Sequence, residues 1–245
     1  MHSKHALKNH FNRAAETYDA SSVIQKAAGH CLVNKIKQHV INAPHIIDLG
    51  CGSADFTEHL AAFMTYDKFY AIDIAEKLLE KAKSRLRYVP IQFFLADYDC
   101  FHFPLLAFDL IVSNMALQWS IDFPAILQRI HLHLKSQGIV AFSLPLQETF
   151  QELPIQCRNG LPTVNHILNQ LRAANLIVID YATDKRLLQF DTWVAALKHI
   201  KATGANYIVH KKDKSLSRTF PFEKTATENP KLTYQLGYFI AQRST

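Results

Sequence analysis

The feature that most constrains this chain is a rhythm between residues 45 and 144, where short apolar runs alternate with amphipathic stretches. HIIDLG (45–50), KFYAID (68–73), IQFFLAD (91–97), FDLIVSN (108–114) and GIVAFSL (138–144) read as strands. ADFTEHLAAFM (54–64), AEKLLEKAKSRL (75–86) and FPAILQRIHLHL (123–134) read as helices between them. Apolar strands joined by helices require a parallel sheet covered on both faces, with right-handed crossovers. The fold class expected is therefore α/β, a doubly wound and mostly parallel sheet.

The flanks add to this core. Leu7, Phe11, Ala14 and Ala15 recur at helical spacing, as do Val23, Ala27, Cys31 and Ile36. Asp19, Ser21 and Ser22 supply a break between two helices. After Leu144 the period loosens, and PLQETFQELPIQCRNGLP (145–162) reads as a connection or lid. TVNHILNQLRAAN (163–175) then reads as a helix, LIVIDYA (176–182) as a strand, TWVAALKHIKATGAN (192–206) as a helix and LTYQLGYFIAQ (232–242) as a long strand. One domain is expected, with 1–42 a helical cap, 43–144 a cofactor-binding core, and 145–245 the lid, acceptor region and final strands. Hydrophobic residues make up 49% of the chain, enough for a packed core.

Composition narrows the function. The N-terminus MHSKHALKNHF has no apolar stretch of secretory type, and no run reaches the ~18 apolar residues of a membrane helix. Cys31, Cys51, Cys100 and Cys157 are widely spaced with no CxxC pair, which argues against zinc or a disulfide framework and fits a reducing cytoplasm. The formal charge of +6 permits an anionic partner. The densest basic run is HKKDKSLSR (210–218), with Lys211, Lys212, Lys214 and Arg218. It reads as a solvated loop or as a docking patch for an acidic partner. No interleaved aromatics accompany it, so nucleic acid is not expected.

In open α/β sheets ligands bind beyond the carboxyl ends of the strands. Four such ends carry polar groups here. IIDLGCGSADF (46–56) places Asp48 before a turn with Gly50 and Gly52, which permit backbone angles and ligand approach closed to other residues. Asp73 ends the second strand, followed by Ile74, and can accept from both hydroxyls of a ribose while also serving as a helix cap. Asp97 can accept from an exocyclic amine, and the N–H of Tyr98 can serve a ring nitrogen. Asn114 and Gln118 lie beside apolar Met115, Leu117 and Trp119, as on a pocket floor. Met115 and Leu117 read equally well as core. Together these ends point to an adenosine-type cofactor. A nicotinamide fingerprint would need glycine at 55, where the chain has Asp55.

At this point the sequence resembles the class I S-adenosylmethionine-dependent methyltransferases. IIDLGCGSADF matches their glycine motif, YAID the ribose acid, FLAD the adenine-side acid, and FDLIVSNMALQW with LKSQGIVAFS the fourth and fifth strands. The resemblance implies a Rossmann-like sheet of seven strands with the last antiparallel. Over nearly the whole chain FNRAAETYD, SNMALQW, WVAALKHIKATGAN and LTYQLGYFIAQR resemble the biotin-pathway malonyl-acyl carrier protein O-methyltransferases. That resemblance implies S-adenosyl-L-methionine as methyl donor, S-adenosyl-L-homocysteine as product, and malonyl-acyl carrier protein as acceptor. The malonyl methyl ester would then start pimeloyl synthesis.

Asp48, Gly50, Gly52, Asp73, Ile74, Asp97, Tyr98 and Asn114 are the expected cofactor residues. Tyr18 is expected to close over the sulfonium or position the acceptor, unless it only packs the first helix. Gln118 and Trp119 are expected on the acceptor wall. Arg158, Arg186 and Lys201 are candidate cations for the malonyl carboxylate. No general base is expected, because a carboxylate of pKa ~4 is already ionised at neutral pH. Ala54 replaces a third glycine and is expected to be tolerated because it already belongs to the following helix. A methyltransferase for a free, aconitate-like carboxylic acid and an inactive S-adenosylmethionine-binding assembly protein are the alternatives.

Overall fold

The computed structural model describes residues 2–40, 42–154, 160–203 and 229–244. Two helices lead, α1 (His2–Ser21) and α2 (Val23–His39), with the break where Ser21 and Ser22 predict it. The alternating core follows: β1 (His45–Leu49), α3 (Asp55–Ala61), β2 (Lys68–Asp73), α4 (Glu76–Arg85), β3 (Ile91–Leu95) and β4 (Phe108–Asn114). A 3-10 turn (Leu117–Trp119) leads into α5 (Phe123–His133) and β5 (Leu134–Pro145). Then come α6 (Val164–Ala173), β6 (Leu176–Gln189), α7 (Trp193–Ala202) and β7 (Lys231–Arg243). Local chemistry fixes several helix starts. The side chains of Asp122, Thr163 and Thr192 accept from the N–H groups of Ala125, His166 and Ala195, satisfying donors that the first turn leaves unpaired.

The strands form one sheet in the order β3-β2-β1-β4-β5-β7-β6. β1 to β5 run parallel, and β7 is antiparallel to both β5 and β6. The expected seven strands and reversed final strand are both present. Period-2 alternation sends successive residues to opposite faces. Ile46, Leu110, Val112 and Ala141 join the core under α2, while Ile47, Ile111, Val140 and Phe142 join the core under α5 and α6. Both faces are therefore apolar, which is why the core strands carry almost no charge. Chain order reverses between β1 and β4, and the carboxyl ends of these strands open the crevice where a ligand can sit.

Two elements differ from expectation. β6 continues past LIVIDYA to Gln189, pairing with β7 from Leu176↔Arg243 to Gln189↔Lys231. It is an edge strand with polar outward positions at Thr183, Lys185 and Gln189, so composition conceals it and only the β7 partner reveals it. The stretch after β5 is strapped to β7, with Leu146 N–H donating to Gln235 O at 2.7 Å and Phe150 N–H to Thr233 O at 2.7 Å. Leu146, Phe150 and Leu153 are buried beneath it. No described helix is long and apolar enough to cross a membrane.

Candidate active site

The glycine turn is built by β1 and held by β2. The N–H groups of Gly50 and Cys51 both donate to Ile72 O, at 2.9 and 3.0 Å. Gly50 has φ +81° and Gly52 φ +56°, conformations that favour glycine. A Cβ on Gly50 would lie 2.5 Å from that of Ala116, whereas one on Gly52 would only touch the Tyr18 ring at 3.7 Å. Ala54 is left-handed too, at φ 64° and ψ 26°, and precedes the helix instead of belonging to it. The expectation of a helical Ala54 is therefore corrected. Its methyl is fully buried and packs in a cluster with Ala82 and Leu86.

Asp73 locks this turn to the next strand. One carboxylate oxygen accepts from Gly52 N–H at 2.8 Å and the other from Ala75 N–H at 2.7 Å. Burial pushes its pKa up, and the N–H groups of Ala75, Gly52 and Ile74 oppose that shift. Each oxygen keeps acceptor capacity for a further donor. The capping role read from the sequence is present, and it leaves the acceptor capacity that a ligand role would need.

Residues singled out from the sequence meet around one cavity of about 960 Å³, open at its mouth. Tyr18, Gly50, Gly52, Asp73, Ile74, Asp97, Tyr98, Asn114, Gln118 and Trp119 all line it. Asp48 does not. Its other oxygen, Oδ1, is buried without a partner among the described residues, while Oδ2 accepts from Thr57 Oγ1 at 2.7 Å. Asp48 lines a smaller adjoining cavity of about 370 Å³ behind the glycine turn. Burial, reinforced by nearby Asp73 and opposed by Thr57, pushes its pKa up to about 7.

α1 covers the cavity. Lys4, Leu7, Phe11 and Tyr18 recur on one helical stripe and line it. Phe11 meets Tyr18 and Trp119 edge-on, with ring centroids 6.4 and 5.9 Å apart. The far end of α1 is pinned to the glycine turn, since Ser53 Oγ donates to Asp19 and Arg85 pairs with Asp19 at 3.2 Å. The near end is pinned to β3's exit. Lys4 Nζ lies 3.0 Å from Asp97 and 2.8 Å from Asp99, above the Tyr98 ring. Burial and the carboxylates of Asp73, Asp19 and Asp55 push the Tyr18 phenol well above its ordinary range, so it is a neutral donor.

The SNMALQW floor is held as firmly. Asn114 donates to Gln25 O at 2.9 Å and accepts from Ser143 Oγ at 2.7 Å, so its amide ties β4 to α2 and β5. Tyr98 donates to Ala116 O at 2.8 Å. Gln118 donates to Met115 O at 2.7 Å, and its Oε1 is buried without a partner among the described residues. Met115 packs against the core and also lines the cavity, whereas Leu117 is core.

A methyltransferase-domain family profile matches residues 46–138, which span the glycine turn through the start of β5. Malonyl-acyl-carrier-protein O-methyltransferase 2 of Coxiella burnetii is 35% identical over 243 residues, covering 98% of this chain and 96% of that protein. The chain belongs to the malonyl-acyl-carrier-protein O-methyltransferase family. The corresponding enzyme of Calditerrivibrio nitroreducens is 29% identical and covers 97% of this chain and 96% of its own. Among solved structures the YcgJ protein of Bacillus subtilis has a TM-score of 0.66 at 15% identity, over 88% of this chain and 99% of that one. That likeness speaks for the fold. As a member of this family the chain is an S-adenosylmethionine-dependent carboxyl O-methyltransferase.

Of the cations expected on the acceptor side, Arg186 and Lys201 fall elsewhere. Arg186 pairs with Asp184 at 2.5 Å and does not line the cavity. Lys201 lines a separate groove between α1 and α7. Arg158 and the 210–218 cluster lie outside the described residues. Among the described residues Lys4 is the one cation on the cavity wall, and Asp97 and Asp99 already hold it. The free cysteines Cys31, Cys51 and Cys100 do not line it either. His30, Asp55 and His59 lie within ligand distance of one another, but outside this cavity, and Arg85 holds Asp55.

Lys4, Gln25 and Tyr234 are wall residues that sequence reasoning does not assign to the site. Lys4 carries no local signal that sets it apart in a basic N-terminal stretch. Gln25 reaches the cavity from α2, and its Oε1 is buried without a partner among the described residues. Tyr234, in β7, is 3% exposed, and its hydroxyl has no partner among the described residues. Burial pushes that phenol well above its ordinary range, so it stays a donor. LTYQLGYFIAQR carries part of the family resemblance, yet only the β5–β7 pairing brings Tyr234 to the cavity.

Proposed function

We propose that this enzyme transfers a methyl group from S-adenosylmethionine to the free carboxylate of malonyl-acyl carrier protein, giving the methyl ester that starts pimeloyl synthesis for biotin. One observation carries the reading. The cavity joins a nucleoside cradle at the ends of β1 to β4 to a second wall, from 145–150 and β7, that offers neutral donors. A relative of that name along nearly the whole chain supports the acceptor.

The cradle fits the cofactor. Gly52 leaves open the space that a side chain would fill, Gly50 lets the turn close onto the Ala116 methyl, and Asp73 presents unused acceptor capacity at the turn. In this reading Asp73 holds the ribose, with Ile74 beside it, and Asp97 and the Tyr98 N–H face the adenine. Gln25 Oε1 accepts from the α-ammonium. Asp48 and Asn114 act from behind, fixing the turn and the floor. When bound, the cofactor supplies an electrophilic methyl group on a sulfonium.

On the acceptor side, Tyr234 and Tyr18 donate to the malonyl group, and Gln118 and Trp119 close the wall. A carboxylate held by neutral hydroxyls keeps its charge unpaired within the protein. Its attraction to a positive sulfonium is strongest where water is excluded. A neighbouring guanidinium would compete for that charge. Catalysis then rests on alignment of acceptor oxygen and methyl carbon. α1 and the 146–150 strap exclude water, at a desolvation cost that binding offsets. No histidine among the described residues lines the cavity, and an ionised carboxylate needs no base.

The test is transfer of labelled methyl from S-adenosylmethionine, comparing malonyl-acyl carrier protein, malonyl-coenzyme A and free carboxylic acids. Preference for the carrier-bound thioester is expected. Preference for an aconitate-like free acid would overturn the acceptor assignment.

A further inference from the structure

A second opening lies outside the reaction cavity. It is a groove of about 710 Å³ between α1 and α7, walled by His10, Arg13 and Thr17 on one side and by Lys198 and Lys201 on the other. No carboxylate among the described residues lines it. Arg13, Lys198 and Lys201 are exposed, and none of them makes an ion pair among the described residues. Lys201 sits in the last turn of α7, where a cation offsets the helix dipole. Arg13 lies in the middle of α1 and has no such role. Cations gathered in a concave surface without counter-charge raise the local potential and attract an anion.

The groove and the cavity share their walls. His10, Arg13 and Thr17 follow helical spacing on one face of α1, and Phe11 and Tyr18 occupy the adjacent face lining the cavity. Across from them, Lys201 and Ala202 line the groove and Thr203 lines the cavity. A ligand can therefore lie along α1 with a neutral part in the cavity and an anionic part in the groove. An acyl group on a carrier protein has that order of charge. Its pantetheine arm is uncharged, and at the root of the arm are a phosphodiester and an acidic protein surface.

We propose that the α1/α7 groove receives the phosphodiester and adjoining acidic surface of the acyl carrier protein whose malonyl group enters the cavity. The inference rests on the acceptor assigned above. It moves docking from the 210–218 cluster to Arg13, Lys198 and Lys201. Charges at the rim of an interface act mainly on association rate and its salt dependence.

The experiment compares wild type with the triple variant Arg13→Glu/Lys198→Glu/Lys201→Glu, and with the neutral Arg13→Gln/Lys198→Gln/Lys201→Gln. All three positions are exposed on helices, and circular dichroism checks the fold. Two readouts are taken. One is kcat/KM for malonyl-acyl carrier protein against malonyl-pantetheine, which has neither phosphate nor protein. The other is fluorescence anisotropy of labelled carrier protein without malonyl, which needs no turnover. The charge-reversed variant is expected to lose about tenfold or more in kcat/KM for the carrier substrate, with a flatter salt dependence. It should bind labelled carrier more weakly and turn over malonyl-pantetheine as wild type does. The neutral variant should fall between. Unchanged carrier binding in the variant, no carrier binding by wild type, or equal loss with both substrates would overturn the groove. If wild type binds carrier through these residues but methylates neither thioester, the groove stands and the acceptor assignment fails.

Discussion

Replacing the two glycines of the turn one at a time separates backbone conformation from space. Gly50→Ala and Gly52→Ala both place a side chain at positive φ, +81° and +56°. That costs an L-residue roughly 1–2 kcal/mol, and the stiffer unfolded chain returns about 0.4–1 kcal/mol. These terms are shared and largely cancel between the variants. The space differs. At Gly52 the new methyl meets only the Tyr18 ring at 3.7 Å, an ordinary contact. At Gly50 it overlaps Ala116 Cβ at 2.5 Å, and Ala116 is fixed because its carbonyl accepts from Tyr98 and from Trp119 N–H. Overpacking of this kind costs about 1–3 kcal/mol. Urea denaturation should therefore show Gly50→Ala less stable than Gly52→Ala by about 1–3 kcal/mol. Calorimetry should show the larger loss of S-adenosylmethionine affinity in Gly50→Ala, because relieving the overlap moves the Tyr98 wall. Stabilities within about 0.5 kcal/mol of each other would refute the argument from space, given the usual scatter of surface substitutions. Ala54→Gly completes the series. Relief of about 1 kcal/mol at positive φ is offset by the lost burial of one methyl, about 0.8 kcal/mol, and by chain entropy, so near-neutrality is expected instead of the stabilisation that a motif repair suggests.

Asp73→Asn leaves one of the Gly52 and Ala75 N–H groups facing an NH₂; a loss of about 1–3 kcal/mol in stability and at least tenfold weaker S-adenosylmethionine binding are expected by denaturation and calorimetry. Tyr234→Phe removes a hydroxyl that has no partner among the described residues, so thermal stability should hold while kcat/KM for the acceptor falls about tenfold or more; unchanged kinetics would remove Tyr234 from the site. Asp48 has a folded pKa raised to about 7, so the folded state keeps a proton that the unfolded state releases near pH 4. Its contribution is fully present below pH ~4 and is lost as pH rises through about 7. Asp48→Asn should therefore gain stability relative to wild type between pH 5 and pH 8, measured by denaturant titration at each pH, and a constant difference would contradict the buried, protonated Asp48.

Much of the donor half could be read from the sequence because strand periodicity is local. Once β1 to β4 are placed, Gly50, Asp73, Asp97 and Asn114 must emerge at one edge of the sheet. Family motifs added Tyr18, which spacing alone left as packing. What stayed hidden depends on distant chain. Lys4 reaches Asp97 across 93 residues, and Tyr234 reaches the cavity only through a strand reversed against β5. The left-handed Ala54 was misread because alanine favours helix by propensity, and the turn overrides it. The outer half of β6 was missed because an edge strand need not be apolar on both faces. Arg186 and Lys201 stand away from the cavity because a positive residue near the right region of the sequence says nothing about which way its strand or helix face turns.

The reversed strand β7 has a further consequence, for the order in which the enzyme can be assembled. β2 pairs with β1 and β3, its neighbours in sequence, and β1 reaches β4 through Ile46↔Leu110, whereas β7 must insert between β5 and β6, closing a longer loop back to residues 139–145. Pairings across such distances form late, because the chain entropy of closure is lost before contacts compensate. Until β7 arrives, β5 ends a five-stranded sheet with an open edge, β6 has no partner, and the 146–150 strap has nothing to bond to. A folding intermediate of this enzyme would thus carry a nucleoside cradle without an acceptor wall. Exposed edges of that kind invite aggregation. Donor-site ligand in refolding buffer should stabilise such an intermediate but leave its edge open, whereas substitutions that strengthen β7 pairing would raise the yield of active protein.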